Sequence, residues 1–151
     1  MKNKIFVVIV LLAAATAAVY CVQPKAPVQV CVTDTCVNAK VVSTTADLER
    51  GLQGRAGLAK DQGMLFVFTK DGRHRFWMKD MKFALDILWL DRGAGIVAVG
   101  ENLPPCTADP CQVYAPPRNA RYVLEVNAGF SRAHGLKPGA RLVIKNLPAP
   151  A

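Results

Sequence analysis

Met64-Leu65-Phe66-Val67-Phe68-Thr69 is the stretch on which the fold turns. It is apolar up to Thr69, rich in β-branched and aromatic side chains, and free of Gly and Pro. A run this short with that composition reads as a strong apolar strand. Asp71-Gly72 follows as a turn signal. Residues 75–78 (Arg-Phe-Trp-Met) then alternate and read as a second strand. Residues 83–91 form a third strand, closed by the turn Arg92-Gly93-Ala94-Gly95, and residues 96–99 pair back as a fourth. Beyond a Pro- and Cys-rich loop at 102–118, residues 121–127 are another strand. Residues 129–135 fit one or two helical turns, Lys137-Pro138-Gly139-Ala140 is a turn, and 142–145 is a last strand. Upstream, residues 37–42 are β-branched and strand-like. Thr44-Thr45-Ala46-Asp47 opens a short helix, with a Thr cap and an acid three residues on; the helix stops near Gly54. About eight short strands separated by turn signals predict a mostly β (β-rich α+β) class. The expected architecture is a small antiparallel barrel- or sandwich-like domain with one or two short helices.

The chain has 151 residues, enough for one modest core. Its organisation reads as an N-terminal signal or anchor segment at 1–22, a linker at 23–27, a β-rich domain at 28–147 and a loose tail at 148–151. Lys2 and Lys4 precede an uncharged run of 18 residues, 5–22. That length lies at the border between a signal peptide and a spanning helix. The two lysines stay on the cytoplasmic side, which places the domain outside, periplasmic or extracellular. An uncleaved membrane anchor is the expected fate. Cleavage near Ala15-Thr16-Ala17, which would yield a secreted protein, and lipidation at Cys21 are the alternatives; Ala18-Val19-Tyr20 suits lipidation poorly.

Four cysteines lie beyond the segment, Cys31, Cys36, Cys106 and Cys111, as two pairs of equal C-x4-C spacing. In an oxidising compartment an even count reads as disulfides. Three pairings exist, and local pairing has the simplest geometry. Val30 to Val37 resembles a hairpin that sets Cys31 opposite Cys36. A zinc site is the rival, but zinc favours C-x2-C knuckles and export favours disulfides. No metal and no cofactor is expected.

Formal charge is +8, and +6 without Lys2 and Lys4, from seventeen basic and eleven acidic residues. A basic surface suits nucleic acid, anionic lipid or acidic polymer, and export disfavours nucleic acid. The densest basic patch is 70–82, with Lys70, Arg73, His74, Arg75, Lys79 and Lys82 against Asp71 and Asp80. On an extended strand Arg75, Trp77 and Lys79 share one face and Phe76 and Met78 the other. A ring flanked by two cations suits a sugar or an anionic group. Asp86 shares a face with Leu88 and Leu90, and Glu125 shares one with Val123. A carboxylate on an apolar face must be paired or hydrogen-bonded, and Arg75 and Lys79 are the expected partners of Asp86. Arg75, Trp77, Lys79, Asp86 and Glu125 are therefore the candidate ligand-binding residues. No G-x-S-x-G, H-E-x-x-H, P-loop or G-x-G-x-x-G segment is present, and no catalytic residue is assigned.

Gly51-Leu52-Gln53-Gly54-Arg55, Gly63 to Phe68, Phe76-Trp77-Met78-Lys79-Asp80, Leu85-Asp86-Ile87-Leu88 and Tyr122 to Gly129, in this order, resemble the domain of unknown function 192 family over roughly residues 28–144. The resemblance implies a compact β-rich domain, often exported, with no established activity. Two departures stand out: the family usually has Met where this chain has Gln53, and Asn-Thr where it has Asp80-Met81.

The expectation is thus a non-catalytic envelope domain, held to the membrane through residues 5–22. Its expected ligand is an anionic or glycan-type envelope polymer, a lipid headgroup or a membrane-protein partner. The alternatives are a hydrolase of envelope material using Asp86 and Glu125 as a carboxylate pair, and a structural subunit of a membrane complex.

Overall fold

The computed structural model describes residues 26–148. The expected anchor at 5–22, most of the linker and the last three residues of the tail lie outside the described residues. Among the described residues no helix is long and apolar enough to cross a membrane.

Among the described residues nine strands and two short helices follow in the order β1 (Gln29–Val32), β2 (Thr35–Val42), α1 (Thr45–Arg50), β3 (Gln62–Gly72), β4 (Phe76–Trp77), β5 (Leu85–Leu90), β6 (Ile96–Leu103), β7 (Val113–Tyr114), β8 (Ala120–Asn127), α2 (Phe130–Ala133) and β9 (Val143–Lys145). Seven strands form one sheet in the order β6-β5-β8-β3-β2-β1-β9, and β4 and β7 form a separate two-stranded ribbon. The sheet curls until its two edges meet. Gly95 bridges Arg141, Ile96 N–H donates to the Ala140 carbonyl at 2.7 Å, and Leu142 N–H donates to the Ala94 carbonyl at 3.0 Å. The result is a half-barrel, as the mostly β reading requires.

Two apolar clusters follow from the period-two alternation of the central strands. Leu65, Leu88, Leu90, Leu124 and Val126 point to one face with Val30, Val37, Ile96, Leu136 and Leu142. Met64, Phe66, Ile87, Trp89 and Val123 point to the other, with Leu52, Met78 and Met81 from the covering loops. Every residue of β5 is buried, which is why Leu85-Asp86-Ile87-Leu88-Trp89-Leu90 reads as an almost unbroken apolar run.

Three features differ from the sequence-based expectation. The sheet is mixed rather than antiparallel: β2 and β3 run parallel, Val41 opposite Leu65, and α1 lies on the crossover between them. A parallel neighbour needs such a crossover, and the short Thr-capped helix supplies part of it; Thr44 Oγ1 accepts from Asp47 N–H at 3.2 Å as the motif requires. Second, Asp71-Gly72 does not turn the chain. The Asp71 carboxylate takes Arg92 Nε at 2.7 Å and Arg121 Nε at 2.5 Å, which keeps β3 extended until Gly72 pairs with Ala120 of β8. Those guanidinium hydrogen bonds, Arg92 first, lower the Asp71 pKa. Third, β4 consequently pairs with β7, Trp77 opposite Val113, and not with β3.

Both local disulfides are formed. Cys31 and Cys36 face each other across the β1–β2 hairpin at a Cα separation of 4.0 Å, and Cys106 joins Cys111. Asp109 carboxylate oxygen lies within 4.8 Å of both sulfurs of the second pair, but disulfide sulfurs offer no thiolate to a metal.

Asp86 is fully buried, and neither Arg75 nor Lys79 is its partner. Its Oδ1 accepts from the backbone N–H of Asn102 at 2.7 Å and of Gly129 at 3.1 Å, and its Oδ2 from that of Ser131 at 2.7 Å. One carboxylate thus ties β5 to the end of β6 and to the start of α2. Asn102 and Gly129 adopt positive φ, 49° and 88°, conformations those residue types tolerate, so both amides turn inward. Asp86→Ala strands three buried donors and is expected to destabilise the fold by roughly 3–5 kcal/mol. Urea unfolding of the two proteins checks this; a loss below about 1 kcal/mol contradicts the tie.

Candidate functional site

On the face of the sheet opposite Asp86, between α1, β3 and the β4 ribbon, lies a cleft of about 330 Å³. Its walls are built by four pieces of chain. α1 and its exit contribute Leu48, Glu49, Arg50, Gly51, Leu52 and Gln53. β3 contributes Phe66 and Phe68, the segment entering β4 contributes His74 to Trp77, and β8 contributes Glu125.

Local sequence explains why these groups converge. Gly51 caps α1 at φ 50°, so the chain turns back towards the sheet without a side chain. A Cβ there would lie 3.2 Å from Phe66 Cζ and 4.0 Å from Glu125 Oε2; the glycine keeps the cleft open over the acid. On the far wall, Trp89 Nε1 donates to the His74 carbonyl at 2.8 Å. The His74 ring stacks on Phe68, centroids 3.5 Å apart, and its Nε2 lies 3.2 Å from the Lys70 carbonyl. Burial lowers the His74 pKa, which favours the neutral ring. Phe76 packs edge-on against Phe66 at 4.9 Å and Trp89 at 6.0 Å. These contacts fix the backbone on both sides of Arg75 and leave Arg75 and Trp77 projecting at the mouth. Trp77 is 50% exposed. Lys79 Nζ sits over the Trp77 ring, 5.9 Å from its centroid, and pairs with Asp109 at 3.4 Å.

The cleft floor is Glu125. It is 5% exposed, and its Oε2 has no hydrogen-bond partner among the described residues. Burial raises its pKa from 4.5 to about 8, so it is an uncharged acid at neutral pH. At the mouth, Arg50 and Arg75 have no ion-pair partner among the described residues. The arrangement is an aromatic-walled cleft with a proton donor at its base and two cations at its opening.

Of the five sequence candidates, Arg75, Trp77 and Glu125 line this cleft, and Lys79 braces Trp77 from beside it. Asp86 does not belong. It lies opposite Val126 on β8, while Glu125 lies opposite Ile87 on β5. Adjacent positions on a strand point to opposite faces. Asp86 therefore faces away from Glu125, and the two carboxylates do not share a cavity. Sequence reasoning passed over Arg50, Gly51, Gln53, Phe66, Phe68 and His74 as site residues. The signal available for part of that set was the Gly51-Leu52-Gln53-Gly54-Arg55 segment, and for Phe66 and Phe68 the apolar strand, which periodicity assigns equally well to core.

A family model described as "Uncharacterized ACR", DUF192, matches residues 28–144. The chain belongs to the DUF192 family. No curated protein matches it. Two crystal structures are similar. One is a Sinorhizobium meliloti protein named as a candidate transcription regulator, 28% identical, covering 80% of this chain and 93% of that one at a TM-score of 0.70. The other is a Novosphingobium aromaticivorans protein of unknown function, 25% identical, covering 81% and 90% at a TM-score of 0.69. Both departures from the usual DUF192 pattern fall at the cleft, since Gln53 and Met81 line it. Asp80 adopts φ 57° and its carbonyl accepts from Gly54 N–H at 3.0 Å. Asp tolerates that left-handed conformation as Asn does, so the turn does not need the family's Asn.

Glu125 makes stability depend on pH. Its folded pKa lies above its ordinary 4.5, so the folded protein holds a proton that the unfolded chain has released. Stability is therefore full below about pH 4.5, falls as pH rises, and levels off above about pH 8. Glu125→Gln is expected to match the wild type at pH 4 and to exceed it by on the order of a few kcal/mol at pH 9. Urea unfolding across that range checks this; a difference that does not change with pH refutes it.

Proposed function

We propose that this protein is a non-catalytic, extracytoplasmic envelope domain, membrane-held through residues 5–22, that takes an anionic or glycan-type ligand in the cleft beneath Trp77. The observation that carries this reading is the composition of the cleft: an exposed indole and two guanidinium groups at the mouth and a buried carboxyl at the floor, the guanidinium groups without an ion-pair partner and the carboxyl Oε2 without a hydrogen-bond partner among the described residues. Sugar rings stack on indoles, and planar guanidinium groups bind carboxylate or phosphate in pairs of hydrogen bonds. A volume of about 330 Å³ lies at the small end of ordinary ligand sites, which favours one or two sugar rings over a lipid tail. Lys82, exposed and next in sequence to Met81 of the cleft lining, adds positive charge beside the site.

Catalysis through Asp86 and Glu125 receives no support from their placement on opposite faces. Glu49 is the other carboxylate lining the cleft. The Sinorhizobium relative is named a candidate transcription regulator. Neither helix among the described residues exceeds six residues, too short for a groove-reading helix.

Titration calorimetry with an acidic envelope oligosaccharide tests the reading. Trp77→Ala is expected to weaken binding about tenfold, the loss of one stacking platform. Arg75→Gln is expected to weaken it by roughly fivefold and to reduce its salt dependence. Both side chains are exposed, so folding is unaffected. Binding that ignores both substitutions removes the cleft from the function, and cleavage of the oligosaccharide overturns the non-catalytic assignment.

A further inference from the structure

The mouth and the floor of the cleft make opposite demands on a ligand. Arg50 and Arg75 at the mouth call for negative charge. The floor suits an uncharged group better: Glu125 Oε2 is buried without a partner among the described residues, and an anion drawn down to it would lose its water among the apolar side chains of β3 and β5. Four titratable side chains share the cleft with Glu125, namely Glu49 and Arg50 from α1, and His74 and Arg75 from the segment entering β4. None of the four forms a hydrogen bond with it among the described residues. β3 and β5, which flank β8, present Met64, Phe66, Phe68, Leu85, Ile87 and Trp89 to this face. Among the described residues no cation is bonded to Glu125, and its Oε2 has no hydrogen-bond partner.

Resting on the glycan-type reading above, we infer that Glu125 is the proton-donating floor of the cleft, and that the ligand is an acidic sugar seated with an uncharged oxygen acceptor against Glu125 and its anionic group outward at Arg50 and Arg75. The acceptor is an acyl, ether or hydroxyl oxygen. Its arrival satisfies the one buried polar atom on this face that the fold leaves open, which a purely apolar ligand of the same shape would not do. Burial of the carboxyl, with its pKa near 8, keeps the donor proton in place at neutral pH. The same group makes binding fall away in alkali, because the carboxylate that forms there repels the acceptor. Glu125 thus sets orientation and selectivity, and the arginines set affinity for charge.

N-Acetylmuramic acid, which carries one carboxylate and an acetamido oxygen, is a suitable probe, with the full chain in detergent micelles. Wild type is expected to bind it at pH 6.5 and to lose on the order of thirtyfold in affinity by pH 9.5, as a donor with a pKa near 8 ionises. Glu125→Gln, whose amide N–H replaces the donor, is expected to bind at both pH values within about threefold of wild type at pH 6.5. Wild-type affinity that stays level or rises to pH 9.5, or an equal alkaline loss in Glu125→Gln, overturns the donor assignment. Absence of binding at either pH counts against the glycan-type reading instead. The donor assignment is then decided by the carboxyl carbon resonance of Glu125 in the same full-length protein: a titration midpoint near 8 upholds it, and one in the ordinary carboxylate range overturns it.

Discussion

β5 and the central stretches of β8 and β3, residues 123–126 and 63–66, are buried on both faces, and this two-sided burial governs the rest of the molecule. A strand with no solvent side has nowhere to send a polar side chain. Among the described residues each face of the trio carries one buried carboxyl group, and the two are treated in opposite ways. Asp86 is saturated by three backbone amides and has become part of the frame. Glu125, one residue out of register on the neighbouring strand, is left with an open oxygen beneath a cleft. The same physical requirement yields a structural tie on one face and an open carboxyl beneath a cleft on the other.

Much of this was legible in the residues. Alternation and turn chemistry located most of the strands, the Thr44 cap and both disulfides, because each depends on neighbours in sequence. The parallel β2–β3 pair was not legible. It depends on a crossover whose direction no local pattern encodes. Asp71-Gly72 misled for a related reason: the dipeptide favours a turn, but Arg92 and Arg121, distant in sequence, hold the aspartate in an extended strand. Tertiary ion pairs overrode local propensity there.

The site shows the same division. Arg75 and Trp77 announced themselves as a cation and an indole on one face of a strand. Glu125 was visible as a carboxyl among apolar residues, yet so was Asp86, and the sequence gives the two the same look. What separates them is the supply of inward-turned amides at Asn102, Gly129 and Ser131, which only the folded chain assembles. The aromatic wall of Phe66, Phe68 and Phe76 was hidden because an apolar strand looks alike whether it lines a cleft or fills a core.

The bridge between Gly95 and Arg141 has a consequence for life at high density. An open sheet presents a row of unpaired amides and carbonyls at each border, and such borders recruit strands from neighbouring molecules. Here the two borders are turned towards each other and partly spend those groups on themselves. Copies held at high concentration, where encounters are frequent, would find less exposed ladder on which to zip together.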